Sequence, residues 1–234
     1  MRYLHPVGIH EAFVASGSYV KMRDDTLISG WLEEWSIHQQ PDKANLIRVD
    51  LSDRASRLSM IIEAWVSPPQ EGRRIERLDI SAYGGPDSPV KYIRATYTFS
   101  DDTVAISSKR DGDAHYREVA LPATAVPYVE TAFFTGWTAA KVTTHDTPTL
   151  VTTIAADITT LGETPHMVTW SSTTNIAASL QLGSRVYQAR QINLIRAGTP
   201  LPSLWIDEHG ILLKQPLVED DAAIVLKDYA RSRR

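Results

Sequence analysis

The chain contains no cysteine among its 234 residues. Disulfide bonds, thiolate metal ligands and a cysteine nucleophile are therefore excluded together. The sequence also lacks long apolar runs, whereas a helix that spans a bilayer needs about 20 such residues, so we expect no transmembrane segment. The hydrophobic fraction of 43% and the charged fraction of 22% are ordinary for a globular protein whose stability comes from packing.

The sequence has no excess of positive charge. The net charge is −4, and the one basic cluster is the terminal Arg-Ser-Arg-Arg at 231–234, which we interpret as a basic tail. The first twenty residues are interrupted by His5, Pro6, His10 and Glu11, where a signal peptide requires a continuous apolar stretch. We expect a cytoplasmic protein with a short flexible N-terminus that binds no nucleic acid.

Motifs for the common reaction classes are absent as well. The sequence has no phosphate-binding or dinucleotide-binding glycine loop, no zinc-protease motif and no nucleophile elbow. Ser18 and Lys21 match a serine-x-x-lysine pattern, but a pattern with two fixed positions arises often by chance. None of the seven histidines has a second histidine at metal-ligand spacing. We therefore expect neither a metal nor a cofactor.

Alternation of apolar and polar residues with a period of two dominates what is present. Ile47, Val49 and Leu51 share one face of a predicted strand, and residues 57–66 are largely apolar on both faces, which predicts a strand that is covered on both sides. Turn signals at 83–89, near Gly112 and near Gly210 separate further strands. This pattern is typical of a sheet built from hairpins.

Two segments differ from this pattern. Residues 125–141 carry apolar side chains at helical spacing, with Pro127 suited to a first turn and Gly136 to an end, so we expect one short helix there. Residues 219–234 fit either a second helix or a last strand. We conclude that the chain is one all-β domain over residues 1–234. We expect a mostly antiparallel, strongly curved sheet or incomplete barrel with one or two short helices.

The strongest local signal is a carboxylate between large rings. If residues 29–40 form a strand, Trp31, Glu33 and Trp35 share one face. A helix is the alternative, but Gly30 would cost about 1 kcal/mol in a helix interior. Glu63 and Trp65 repeat the same spacing in the strand at 57–66.

A carboxylate in such surroundings must be paired, hydrogen-bonded or protonated, with a pKa raised by as much as roughly 3 to 5 units. Three alternatives remain open for each glutamate. The first is a salt bridge to an inward arginine such as Arg94 or Arg190, the second is contact with a ligand, and the third is general acid or base chemistry. His38 lies on the opposite face of the Glu33 strand, either as a catalytic partner or, more simply, as a residue at the rim.

Residues 121–137 form a Leu-Pro step that leads into the predicted helix, and residues 199–215 form a late hairpin with the sequence Leu-Trp-Ile-Asp at its centre. This succession resembles bacterial β half-barrel proteins of the lipoprotein-carrier and glycolipid-binding type. The resemblance implies a curved antiparallel sheet around an apolar, helix-plugged groove. It carries over no catalytic residue; we expect no signal peptide here, and the sequence has no cysteine for lipidation, in contrast to the secreted members.

Together these observations predict the binding of a hydrophobic or amphipathic small molecule, lipid-like or aromatic. Trp31, Trp35 and Trp65 are the expected apolar walls, and Glu33 or Glu63 is expected to hold a polar group. One alternative is a cofactor-independent isomerase, cyclase or hydrolase, with Glu33 or Glu63 as general acid or base and His38 as a partner. Another is a module that forms a homodimer through its tryptophans.

Overall fold

The computed structural model describes residues 8, 10–144, 147–218 and 221–232. The predicted tail residues 233–234 and the N-terminal residues 1–7 lie outside the described residues. The described part contains one α-helix, α1 (Ala132–Val142), and a turn of 3-10 helix at Pro69–Glu71. Its strands are β1 (Ala12–Arg23), β2 (Thr26–Gln39), β3 (Asn45–Asp53), β4 (Leu58–Val66), β5 (Ile75–Tyr83), β6 (Tyr92–Phe99), β7 (Thr103–Arg110), β8 (Asp113–Ala120), β9 (Val126–Val129), β10 (Thr149–Ile154), β11 (His166–Leu182), β12 (Arg185–Arg196), β13 (Thr199–Pro200), β14 (Leu204–Ile206), β15 (Leu212–Pro216) and β16 (Ala222–Arg231).

All strands belong to one curved sheet. Neighbours follow the order β8-β7-β6-β5-β4-β3-β2-β1-β16-β15-β14-β12-β11-β10-β9, with β13 paired to β12. The pairing of β1 with β16 joins the two halves of the chain, and β9 with β10 is the parallel pair in an otherwise antiparallel sheet. Within the described residues β8 and β9 end the sheet without pairing to each other. The predicted all-β fold with a curved, incomplete barrel is confirmed.

The inner face of the sheet forms the core with α1. On β4, Met60, Ile62, Ala64 and Val66 are fully buried, as the alternation predicts. The opposite face of β4 is only partly covered, and its side chains are half-buried. The expectation that this strand is covered on both sides is therefore wrong, because the helix lies on the inner face.

The predicted helix forms, but it begins later and ends later than the sequence suggests. Pro127 lies in β9, and Thr131 is the N-cap, whose side chain accepts a hydrogen bond from the Phe134 N–H. Gly136 lies inside the helix and not at its end. A β-carbon at this position would come within 2.6 Å of the Leu212 nitrogen. Its small size allows α1 to pack against the β14–β15 hairpin.

The ambiguous C-terminal segment is a strand. Ala222, Ile224 and Leu226 of β16 are buried, and the strand pairs with both β1 and β15. Arg231, which the sequence assigned to the tail, is the last residue of β16. No helix in the part of the chain described here has the length and apolar character needed to cross a membrane.

Candidate functional site

A cavity of about 610 Å³ lies at the end of the sheet where β1 ends and β2 begins. The β3–β4 turn, the loop after β5 and the loop after β10 surround it. The large apolar side chains of its lining are Trp31, Leu51, Leu58, Ile158, Leu217 and Ile224, and its charged lining residues are Lys21, Glu33, Asp53, Glu130 and Asp157. A few charged groups thus converge on a cavity with extensive apolar walls, which is the usual composition of a small-molecule site.

Glu33 is the fully buried member of this set, with 0% of its surface exposed. It lies on β2 opposite Tyr19 of β1 and Leu51 of β3, and its side chain reaches the first turn of α1. Its Oε2 accepts a hydrogen bond from the Ala132 N–H at 2.9 Å, and its Oε1 accepts one from the Phe133 N–H at 2.7 Å. The strand and the helix therefore hold the carboxylate in one position.

The helix N-terminus is completely satisfied by this arrangement. A helix leaves its first four N–H groups without intrahelical partners. Glu33 takes two of them, the Thr131 side chain takes that of Phe134, and the Thr131 N–H itself donates to the Val129 carbonyl at 2.7 Å. The partial positive charge of the helix end is thus used by the chain's own carboxylate.

Burial raises the pKa of Glu33 from 4.5 to about 7, although the two backbone N–H groups lower it. Desolvation wins because no cation of the described residues forms an ion pair with Glu33. Of the three alternatives left open for Glu33, the salt bridge to Arg94 or Arg190 is therefore wrong. The carboxyl group is balanced between its neutral and charged forms near neutral pH.

The groups around Glu33 are mostly engaged with one another. The Thr135 hydroxyl donates to the Thr131 carbonyl at 2.7 Å, so it accepts from the Tyr128 hydroxyl, which lies 3.1 Å away. Burial raises the pKa of Tyr128 to about 12, so it stays a proton donor. Glu130 is held by Arg196 at 2.9 Å.

Trp31 and Trp35 share the inner face of β2, as the alternation predicts, but they line different cavities. Trp31 lines the cavity, and the Lys21 ammonium lies 5.4 Å from the centre of its ring. Trp35 is buried in the core, 5.1 Å from the Phe133 ring and 6.2 Å from that of Tyr19. Trp35 lines instead a second cavity, of about 650 Å³.

Glu63 and Trp65 are not brought to Glu33. Their strand face is the outer one, and neither residue lines either cavity. Arg48 donates to Glu63 at 3.1 Å and makes two hydrogen bonds to Glu11, of 2.7 and 3.0 Å. The arginine that holds Glu63 is thus Arg48, not Arg94 or Arg190. The guanidinium carbon of Arg77 lies 5.2 Å from the centre of the Trp65 ring.

His38 also lies away from Glu33, on the outer face. It is buried, with 3% exposed, so the expectation of a rim residue is wrong. Its Nδ1 is 3.8 Å from the Glu11 carboxylate, its ring meets Phe13 edge-on, and burial lowers its pKa. His38 lines the second cavity together with Arg48. Because His38 and Glu33 line different cavities, the structure does not bring His38 to Glu33 as a partner.

Sequence reasoning missed Tyr128, Thr131, Thr135 and the helix N-terminus as parts of the site. One usable signal was present, since a threonine directly before an apolar run is a common N-cap. Contact between that N-cap region and a strand a hundred residues earlier has no local signal. Among the described residues, no group of three or more histidine, aspartate or glutamate side chains is placed to hold a metal ion.

Comparison with known proteins supports the architecture alone. No family model matches the chain, and no curated protein matches its sequence. Among solved structures it is similar to the crystal structure of a beta-barrel-like protein of a domain of unknown function, DUF1849, from Brucella abortus. The TM-score is 0.54 and the identity 9%, over 95% of this chain and 99% of the other. The barrel-like part of the predicted resemblance is confirmed, and the lipoprotein-carrier and glycolipid-binding part stays a prediction.

Proposed function

We propose that the chain binds a small hydrophobic or amphipathic molecule in the 610 Å³ cavity, with an apolar body against Trp31 and Leu58 and a polar group at Glu33. The observation that carries this proposal is a fully buried carboxylate that lines a largely apolar cavity. The volume falls within the roughly 300 to 1,000 Å³ that is usual for small-molecule sites. Trp35 and Trp65, expected as further walls, are not part of it.

The position of Glu33 favours a site over a purely structural acid. A buried carboxylate without a cation is costly, and a neutral glutamine could accept a hydrogen bond from the helix at lower cost. Glu33 lies in the cavity wall, so its carboxyl group lies beside whatever enters the cavity. A lipid-like or aromatic ligand is the class that we propose, in line with the resemblance to half-barrel carriers.

Native mass spectrometry of freshly purified protein tests the proposal together with tryptophan fluorescence. We expect a co-purified mass, or fluorescence quenching by an added amphiphile that is largely lost in Trp31→Phe. Trp65→Phe is the matched control, because Trp65 lies on the outer face, and quenching should persist in it. No co-purified mass, together with no quenching by any amphiphile or aromatic compound, contradicts the proposal.

A second candidate is a cofactor-independent enzyme, an isomerase, cyclase or hydrolase, with Glu33 as general acid or base. A specific observation favours it: the pKa of Glu33 is about 7, and efficient proton transfer needs a pKa near the working pH. The hydroxyl groups of Tyr128 and Thr135, not His38, lie around the same cavity.

The two candidates differ in what happens to a bound ligand. The ligand identified by mass spectrometry is incubated with the wild-type protein and with Glu33→Gln between pH 5 and pH 9. Conversion by the wild type alone, with a rate that changes near pH 7, supports the enzyme. A ligand that is recovered unchanged at every pH supports binding only.

A further inference from the structure

We propose that two copies of the chain form a dimer by antiparallel pairing of their β11 strands, centred on Ala178. The edge that pairs runs from Asn175 to Gln181, in the outer half of the β11–β12 hairpin. Its exposure, its lack of charge and its fit to a second copy of itself support this dimer. None of its residues lines the 610 Å³ cavity, so the dimer is independent of the proposed small-molecule function.

The outer half of the β11–β12 hairpin extends beyond the rest of the sheet. β10 pairs with β11 only as far as Trp170, and β14 joins β12 only at Arg190. β11 and β12 pair with each other up to the turn at Gly183 and Ser184. Within the described residues, the edge of β11 after Trp170 therefore borders no strand. Such an edge presents a row of N–H and C=O groups to another chain.

The register identifies the backbone groups that this edge presents. Leu182 and Arg185 flank a two-residue turn, so they form a hydrogen-bonded pair. Hydrogen-bonded and non-hydrogen-bonded pairs alternate along an antiparallel ladder. The odd-numbered residues of β11 from Asn175 to Gln181 therefore point their N–H and C=O groups away from β12 and toward the open edge.

This edge is exposed and carries no charge. From Ser171 to Ser184 the sequence has neither a charged residue nor a proline. Ile176 is 58% exposed, which is unusual for a large apolar side chain within a strand. The other exposed side chains of the edge are small or uncharged polar groups: Asn175, Ala177, Ser179 and Gln181.

The two ends of the main sheet are protected in ways that this edge is not. Natural sheets protect their edges by charged side chains, by proline or by short strands. β8 carries Asp113, Arg117 and Glu118, and β9 is only four residues long and contains Pro127. The edge of β11 has none of these protections, which favours a partner strand beside it.

The side chains of this edge fit a second copy of the same strand. In an antiparallel pair centred on Ala178, Ile176 of one copy lies opposite Leu180 of the other, and Asn175 lies opposite Gln181. Successive side chains alternate between the faces of a sheet. Apolar side chains therefore meet on one face and amide side chains on the other, and such cross-strand pairs stabilise a sheet.

The backbone groups fit in the same register. The outward-pointing groups of Ala177 lie opposite those of Ser179 in the other copy, and the outward-pointing groups of Asn175 lie opposite those of Gln181. A two-fold axis through Ala178 generates the whole arrangement, as the self-complementary interface of a symmetric dimer requires.

Sedimentation velocity over a range of protein concentrations tests the dimer. We expect a species of twice the monomer mass of 26.0 kDa. Asn175→Lys with Gln181→Glu places opposite charges face to face and should dimerise about as tightly as the wild type. Asn175→Lys with Gln181→Lys places like charges there and should raise the dissociation constant about tenfold. Val186→Lys, a control on β12 of the same hairpin at a side chain that is 66% exposed, should dimerise like the wild type.

Amide hydrogen exchange followed by NMR is a second measurement and needs no variant. The N–H groups of Ala177 and Ser179 should exchange rapidly in dilute solution and become protected at concentrations where the dimer forms. Those of Ala178 and Leu180 donate to β12 in either state and should be protected at both concentrations.

Each contrary outcome overturns the inference. A wild-type protein that is monomeric at every concentration excludes the dimer. Equal dissociation constants for the two double variants exclude this register, and a dimer that only Val186→Lys disrupts lies at another edge. A dimer in which Ala177 and Ser179 stay unprotected does not pair through β11.

Discussion

The Glu33 Oε1 atom accepts a hydrogen bond of 2.7 Å from the N–H of Phe133, a residue 100 positions later in the chain. This bond joins β2 to the first turn of α1 and fixes the helix against the inner face of the sheet. The same carboxylate lines the cavity. Glu33 therefore connects the stability of the fold with the chemistry of the site, and its protonation should affect both.

The stability of the protein should fall between pH 4.5 and pH 7 because of Glu33. The pKa of this group is 4.5 when it is solvated and about 7 in the folded protein, so the folded protein binds more protons in this range. Its contribution is complete below pH 4.5 and declines by roughly 3 kcal/mol as the pH rises to 7. Urea unfolding of wild type and Glu33→Gln at several pH values measures it.

The glutamine variant should gain stability relative to wild type by about that amount between pH 4.5 and pH 8, since it has no group to ionise. Glu63→Gln should not show this relative gain. A difference between Glu33→Gln and wild type that stays constant across this pH range would refute the assignment.

Among the side chains of the outer face, Arg48 should contribute most to the stability of the protein. It makes two hydrogen bonds to Glu11 and one to Glu63, and its hydrogen bonds hold the pKa of Glu11 at about 2. Arg48→Met leaves Glu11 largely buried without its cation, so we expect a loss of roughly 2 kcal/mol and a rise in the pKa of Glu11.

Chemical denaturation and carboxyl NMR titration of Glu11 check this prediction. Arg57→Met is a matched control, because its partner Asp87 is 84% exposed, and it should cost less than about 1 kcal/mol. Equal losses in the two variants would show that the Arg48 cluster contributes no more than a surface pair.

Replacement of Gly136 by alanine should destabilise the protein, against the usual trend. In an ordinary helix interior the change gains about 1 kcal/mol. Here the new β-carbon would lie 2.6 Å from the Leu212 nitrogen and 2.7 Å from the Gly210 oxygen, both backbone atoms. We expect a net loss of about 2 kcal/mol from overpacking.

Thermal unfolding measures the effect. Gly183→Ala, at a hairpin tip with no atom within 4 Å of the new carbon but a φ of +57°, should cost only about 1 kcal/mol. A Gly136→Ala protein as stable as wild type would mean that α1 can move away from the β14–β15 hairpin.

Periodicity predicted the faces of the strands well, because side chains alternate strictly across a sheet. Met60 and Ile62 identify the inner face of β4, and Glu63 is out of phase with both, so its outward position was available from the sequence. Glu33 and Glu63 nevertheless look alike locally, since each precedes a tryptophan by two residues. Strand pairing distinguishes them, because Glu33 lies opposite Leu51 and Glu63 opposite Arg48.

The partner of Glu33 was beyond any local pattern. Its hydrogen bonds come from backbone N–H groups, which every residue except proline carries, so residue identity does not reveal them. The three alternatives drawn from the sequence were a salt bridge to an arginine, contact with a ligand, and general acid or base chemistry, and none of them named a backbone donor. The volume of the cavity is likewise a product of how β2, α1 and three loops meet, and period-two alternation carries no information on it.

The most direct test of the account is a carboxyl-carbon NMR titration of Glu33 in protein freed of bound small molecules. We expect a pKa of about 7, the result of a buried acid held by two backbone N–H groups without a cation. A pKa at or below 4.5 in the free protein would contradict it, because it would show that Glu33 is solvated or already paired.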